Sequence, residues 1–171
     1  MIITLLAAAT AGLDALLVLI VAALMIPSVR SWLLPLARQW ALVLTILLGW
    51  GAIGMSLFLE YAMHLQPCVL CWWQRIFMYP VALIALIAFI KNEGYPRIVR
   101  YVLPLSILGF IAALYQHLLQ VLPSGALIPC DPTNDCAVRS VFEFGFVTLP
   151  WMAVTLCAWF IFLAWIARKA E

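Results

Sequence analysis

Four of the five cysteines in this chain form two close pairs. The first stands in Pro67-Cys68-Val69-Leu70-Cys71-Trp72-Trp73-Gln74-Arg75, the second in Cys130-Asp131-Pro132-Thr133-Asn134-Asp135-Cys136. Cys68 and Cys71 follow Pro67 directly and lead into an apolar run, which puts them at or near a helix N-terminus. Unpaired backbone N–H groups and the helix dipole favour a thiolate there. The spacing suits a local, redox-active disulfide. As a mere staple it closes too short a loop to remove much chain entropy. A structural disulfide, two packed thiols and half of a metal site remain the other readings of the same spacing. Arg75 bears on the choice. It shares a helical face with Cys71 and sits just inside an apolar span, where a charge is costly and points to function. The plainer reading is an arginine that snorkels to the lipid headgroups. A fixed cation beside Cys71 stabilises a thiolate, can polarise a carbonyl oxygen, and repels Zn²⁺ or Cu⁺.

Cys130 and Cys136 bracket a polar turn, since Asp and Asn beside Pro are turn formers. A turn there can bring the two thiols to bridging distance, although spacing alone does not prove the geometry. An exposed loop suits a pair that meets another protein; a passive loop staple is the alternative. The fifth cysteine, Cys157, lies among Leu156, Ala158 and Trp159 and is expected to pack as a small hydrophobe.

The elements that must position these groups are membrane helices. The chain has 171 residues, 68% hydrophobic and 9% charged, against about 25% charged in a soluble domain. Five apolar stretches, near 2–26, 40–60, 73–90, 98–119 and 146–167, each approach or exceed the roughly 20 residues a spanning helix needs. Their uninterrupted apolar character predicts helices and excludes barrel strands, which alternate. Pro80, Pro104 and Pro150 are tolerable within such spans. The net charge of +2 and the absence of like-charge runs carry no nucleic-acid signal. The first stretch offers small-residue cleavage positions at Ala7, Ala9 and Ala11. No basic residue precedes it, however, and its leading apolar run is short, so a retained helix is expected rather than a signal peptide.

Basic residues set the topology. Arg30, Arg38, Lys91, Arg97, Arg100, Arg168 and Lys169 fall on one side, Arg75 and Arg139 on the other. The first side is expected to be cytoplasmic, with the N-terminus and both cysteine loops outside, where disulfides persist. Two cysteine pairs on that side imply electron movement between thiols and the membrane. The rivals are a membrane protein that binds zinc or copper(I) through four outward-facing cysteines and an assembly protein with two inert disulfides. Arg75 and the oxidising side argue against the metal, and no metal site is expected.

The motifs resemble a known family. Gln66-Pro67-Cys68-Val69-Leu70-Cys71 with Arg75 resembles the first-loop motif of the DsbB-type disulfide bond formation proteins. The continuation Trp72-Trp73-Gln74-Arg75-Ile76-Phe77-Met78-Tyr79-Pro80 is similar to their BdbC-like branch. Tyr115-Gln116-His117-Leu118-Leu119-Gln120 with Pro123-Ser124 resembles the end of the family's third helix, and Gly145-Phe146-Val147-Thr148-Leu149-Pro150 the start of its last. The resemblance implies a four-helix transmembrane bundle over 40–167, with residues 1–26 an extra N-terminal transmembrane helix. It further implies a thiol:quinone oxidoreductase of the bacterial inner membrane, which reoxidises a soluble thioredoxin-fold, DsbA-like dithiol oxidase and passes electrons to ubiquinone or menaquinone. A bacterial periplasm is kept oxidising by this very relay, so the direction of electron flow comes with the resemblance. Carried over by motif, Cys68 and Cys71 are the quinone-facing pair, Arg75 the quinone-binding arginine, and His117 a histidine near the quinone. Cys130 is the cysteine attacked by the partner and Cys136 its mate. The short spacing of Cys130 and Cys136 fits the BdbC-like branch and leaves open the order of exchange between the pairs.

Asp14, midway along the first span, matches nothing in the family core. It is expected to be protonated and bonded to another helix, near a partner subunit, or raised to the outer interface. No catalytic role is expected of it.

Overall fold

A computed structural model of the chain describes residues 1–122 and 136–168. Among the described residues five helices follow in order: α1 (Ile2–Ala23), α2 (Pro27–Tyr61), α3 (Val69–Ile90), α4 (Tyr95–Val121) and α5 (Leu149–Arg168). All five are long and apolar enough to cross a membrane, as the composition predicts. In a bilayer each backbone polar group must be met within the chain, and a helix does this segment by segment.

α2 packs on α3, α3 on α4, α4 on α5, and α5 back on α2, which closes a four-helix bundle. α1 lies outside it against α5. α5 is therefore the most enclosed helix, and its Phe160, Leu163 and Ile166 are almost wholly buried with Val81 and Val102. Small residues let the helices approach. A Cβ on Gly49 of α2 would stand 2.6 Å from Ala82 Cβ of α3. Cys157 is free and fully buried, beside Gly109, which agrees with its expected role as packing.

Several boundaries differ from those expected, and the starts of α2 and α3 matter most. Residues 27–39, read as a connection, are helical and continuous with the second span. Pro27 occupies the first turn, where its missing N–H is no loss, and Pro35 is accommodated inside the helix. At 1.5 Å per residue, α2 is roughly 50 Å long and outruns a hydrocarbon core of about 30 Å. α3 begins at Val69 rather than near 73, with Cys68 as its extended N-cap, so Cys71 lies within the first turn. Beyond α3 the chain turns at Asn92, which has a positive φ of 53°. The Glu93 and Asn92 N–H groups donate to the Ala88 and Phe89 carbonyls, the C-terminal motif that a left-handed Asn permits.

Candidate functional site

Pro67 and the extended Cys68 turn the chain into α3, and one helical turn returns Cys71 beneath Cys68. Their Sγ atoms are 3.2 Å apart. Both are free thiols in hydrogen-bond contact. The Cys68 thiol is held above its ordinary pKa, first by the hydrogen bond with Cys71 and then by burial.

The pair is clamped by a residue that the sequence reading named only within a motif. Gln116 of α4, 2% exposed, donates from Nε2 to Cys68 Sγ at 3.1 Å and to Cys71 Sγ at 3.4 Å. Its Oε1 accepts from Gln74 Nε2 at 2.6 Å. With Gln74 donating to its oxygen, the Gln116 amide presents its nitrogen to the sulfurs, and Cys71 Sγ also donates to that oxygen at 3.8 Å. Two buried amides on adjacent helices thus aim one donor at both thiols. A polar pair inside apolar spans was the available signal.

Arg75 follows Cys71 by about one turn. Its Nη1 is 2.5 Å from Glu60 Oε2 of α2, Nη2 donates to the Ser56 carbonyl at 3.5 Å, and its guanidinium lies 5.0 Å above the Trp72 ring. The arginine therefore does not snorkel freely: α2 and Trp72 fix its direction. Glu60, a lone carboxylate at the end of an apolar span, escaped the sequence reading as a functional residue.

His117 points to a different neighbourhood. Its Nδ1 is 2.9 Å from Thr148 Oγ1, and its ring lies 4.8 Å from that of Trp151. Cys136 is disulfide-bonded and 2% exposed. Gln120, one turn beyond Gln116, donates to the carbonyls of Cys136 and Val138 at 3.3 and 3.1 Å, and Arg139 Nε donates to the Gln120 carbonyl. These bonds hold the chain after the second cysteine pair against α4. Cys130, and the turn expected between it and Cys136, lie outside the described residues.

One cavity of about 520 Å³ joins these parts. Cys68, Cys71 and Cys136 line it with Arg75, Gln74 and Gln116. His117 is not among the residues of its wall. The rest of the wall is largely apolar and comes from α1, α2, α3 and α5, with Gln120 of α4, the chain at 65–67 before α3, and Val138, Ser140 and Val141 after Cys136. Such a site can gather thiols from two chain segments beside a cation and a directed amide donor, with an apolar space adjoining them.

The family model for the disulfide bond formation protein DsbB matches residues 38–167. A SPbeta prophage-derived disulfide bond formation protein B of Bacillus subtilis (strain 168) is 42% identical over 107 residues, which are 63% of this chain and 70% of that protein. A probable disulfide formation protein of Chlamydia caviae is 39% identical over 105 residues, 61% of this chain and 74% of its own length. The disulfide bond formation protein C of Bacillus subtilis is 37% identical over 100 residues, 58% and 71% of the two chains. No solved structure matches. With a bundle of spanning helices, a thiol pair at a helix start, and a match over most of its length, this chain belongs to the family of the disulfide bond formation protein DsbB.

Proposed function

We propose that the chain is a thiol:quinone oxidoreductase that reoxidises a soluble thioredoxin-fold, DsbA-like dithiol oxidase outside the cytoplasm. Its family and its five spanning helices make it a multi-pass membrane protein-disulfide oxidoreductase acting in disulfide bond formation. The finer reading rests on one observation: Cys68, Cys71, Cys136 and Arg75 line the same cavity.

The residues of that cavity fit a quinone. A flat ring with two carbonyl oxygens needs donors and an apolar slot. Arg75, with N–H groups beyond those given to Glu60 and Ser56, is a donor in the wall, and about 520 Å³ lies within the usual range of roughly 300–1,000 Å³ for small-molecule sites. A bound quinone supplies an acceptor for two electrons and two protons.

The chain's own cysteines supply the thiol chemistry. A partner thiolate attacks Cys130, and Cys136 leaves. The partner's second thiol then resolves the mixed disulfide, so the partner departs oxidised and Cys130 and Cys136 hold the electrons as thiols. That dithiol reduces an oxidised Cys68–Cys71 pair by the same exchange. Cys71, one turn from Arg75, is the thiol that faces the quinone; as the Cys68–Cys71 disulfide re-forms, the pair gives up two electrons and two protons, one proton from each thiol, which matches what a quinone takes up. Arg75 presents a cationic donor to a carbonyl oxygen, and Glu60 holds it there. His117, bonded to Thr148 and beside the Trp151 ring, stands outside the cavity wall and is given no step in the relay.

We assign the oxidoreductase core to 40–167 and the extra helix to 1–26. The seven basic residues on one side support a reading in which that side faces the cytoplasm of a bacterial inner membrane and the cysteine loops lie outside. The test is anaerobic mixing of a reduced thioredoxin-fold dithiol oxidase, this protein and a quinone, with quinone absorbance followed in time. The absorbance should fall with the native chain and stay constant with Cys68→Ser or Cys71→Ser. Undiminished turnover in either variant would overturn the relay.

A further inference from the structure

α1 lies outside the residues that the family model matches, yet it builds part of the cavity. Leu6, Ala9, Thr10 and Leu13 line it together with Cys68 and Cys71. These positions recur at three- and four-residue steps and form one stripe along the helix. Thr10 Oγ1 donates to the Leu6 carbonyl at 2.9 Å, so its hydroxyl is already satisfied within the helix. The stripe faces the cavity as a wall suited to an apolar chain.

Apolar packing alone cannot fix the rotation of α1, because lipid solvates leucine as well as a neighbouring helix does. Leu5, Leu16, Val18 and Leu19 are all exposed on it. Polar contacts to α5 set the rotation instead. Asp14 Oδ2 accepts from Trp151 Nε1 at 2.9 Å, and Oδ1 accepts from Thr155 Oγ1 at 2.7 Å. Trp159 Nε1 donates to the Leu13 carbonyl at 3.3 Å. At membrane depth no water replaces such bonds. Asp14 is thus hydrogen-bonded to another helix, the partner that the expectation of a protonated carboxyl gave it, and both its oxygens accept. It adjoins Leu13, so the latch and the wall share one helical turn.

We propose that α1 is the tail wall of the quinone site: latched to α5 by Asp14, it completes a slot for an isoprenoid chain and makes the site select tailed over tail-less quinones. Asp14 is a positioning residue. The inference rests on the quinone reading above, and the test separates the two. The full chain carrying Cys68→Ser and Cys71→Ser cannot turn over, so binding is read directly. Its affinity for a decyl-tailed benzoquinone and for the same ring without a tail is measured by quenching of tryptophan fluorescence. Asp14→Ala should lower the ratio of tailed to tail-less affinity about tenfold, the scale on which one or two methylenes count in a site. Asp14→Asn, which retains an acceptor, should restore most of it. Ala9→Trp, which puts a ring into the slot without touching the latch, should lower the ratio as well and serves if Asp14→Ala does not fold. Leu16→Ala, exposed and off the cavity, should leave the ratio unchanged. An unchanged ratio in Ala9→Trp, or an equal fall in Leu16→Ala, overturns the tail wall while leaving ring binding in place. Failure of the unsubstituted α1 chain to bind either quinone overturns the quinone reading, and the tail wall with it.

Discussion

Replacing Gln116 with leucine removes two different things at once, and a second substitution separates them. Gln116 holds both sulfurs of the Cys68–Cys71 pair and also accepts from Gln74. Leucine of similar volume carries no polar atom, so the Gln74 amide, on a residue 7% exposed, loses its partner. An orphaned buried donor costs about 1–3 kcal/mol, and each kcal/mol lowers Tm by roughly 2–4 °C in a chain of this size. The sulfurs lose their donor as well. A hydrogen bond to a charged group is worth about 1.5–3 kcal/mol and to a neutral one about 0.5–1.5 kcal/mol. The thiolate therefore loses about 1 kcal/mol more than the thiol, and a step that needs the thiolate slows roughly fivefold. In Gln74→Leu/Gln116→Leu both amides are gone. Replacing both partners by apolar groups is nearly neutral for folding, so Tm should recover while the rate stays low. Thermal unfolding in detergent gives the first quantity, and the rate of maleimide capture of Cys68 and Cys71 gives the second. Recovery of the rate together with Tm in the double variant would refute the reasoning, because Gln116 would then act through packing alone.

Arg75→Met should raise the quinone KM and slow quinone reduction while leaving thiol exchange with the partner nearly untouched; stopped-flow data with slow exchange and normal quinone reduction would contradict the assigned role. Glu60→Ala should change KM in the same direction but less, because the Ser56 carbonyl still accepts from Arg75. Gly49→Ala should destabilise the bundle by about 1–3 kcal/mol, since the added Cβ meets Ala82 at 2.6 Å; Gly54→Ala, inside the same helix where a Cβ meets nothing within 4 Å, should unfold at or a few degrees above the native temperature, because alanine favours a helix over glycine by about 0.5–1 kcal/mol. Cys157→Ala should keep full activity and lose about 1 kcal/mol of stability, measured by quinone turnover and thermal unfolding on one preparation.

The parts of the site that the sequence made legible are those joined by short stretches of one helix. Pro67, Cys68, Cys71 and Arg75 stand within about two turns, so helical geometry alone brings the sulfurs together and puts the cation on their face. Composition settled the solvent, and a lipid solvent leaves helices as the spanning element. Gln116, Glu60 and the partners of Asp14 depended on the tertiary structure. Gln74 and Gln116 are 42 residues apart, Glu60 and Arg75 15, and Asp14 and Thr155 141, and each pair joins two helices. Which faces of two membrane helices meet is not written in their apolar pattern, because lipid-facing and core-facing residues are equally apolar. α1 is apolar on most of its surface, and its polar contacts to α5, Asp14 with Trp151 and Thr155 and the Leu13 carbonyl with Trp159, decide that Leu6, Ala9 and Leu13 turn toward the thiols rather than toward lipid.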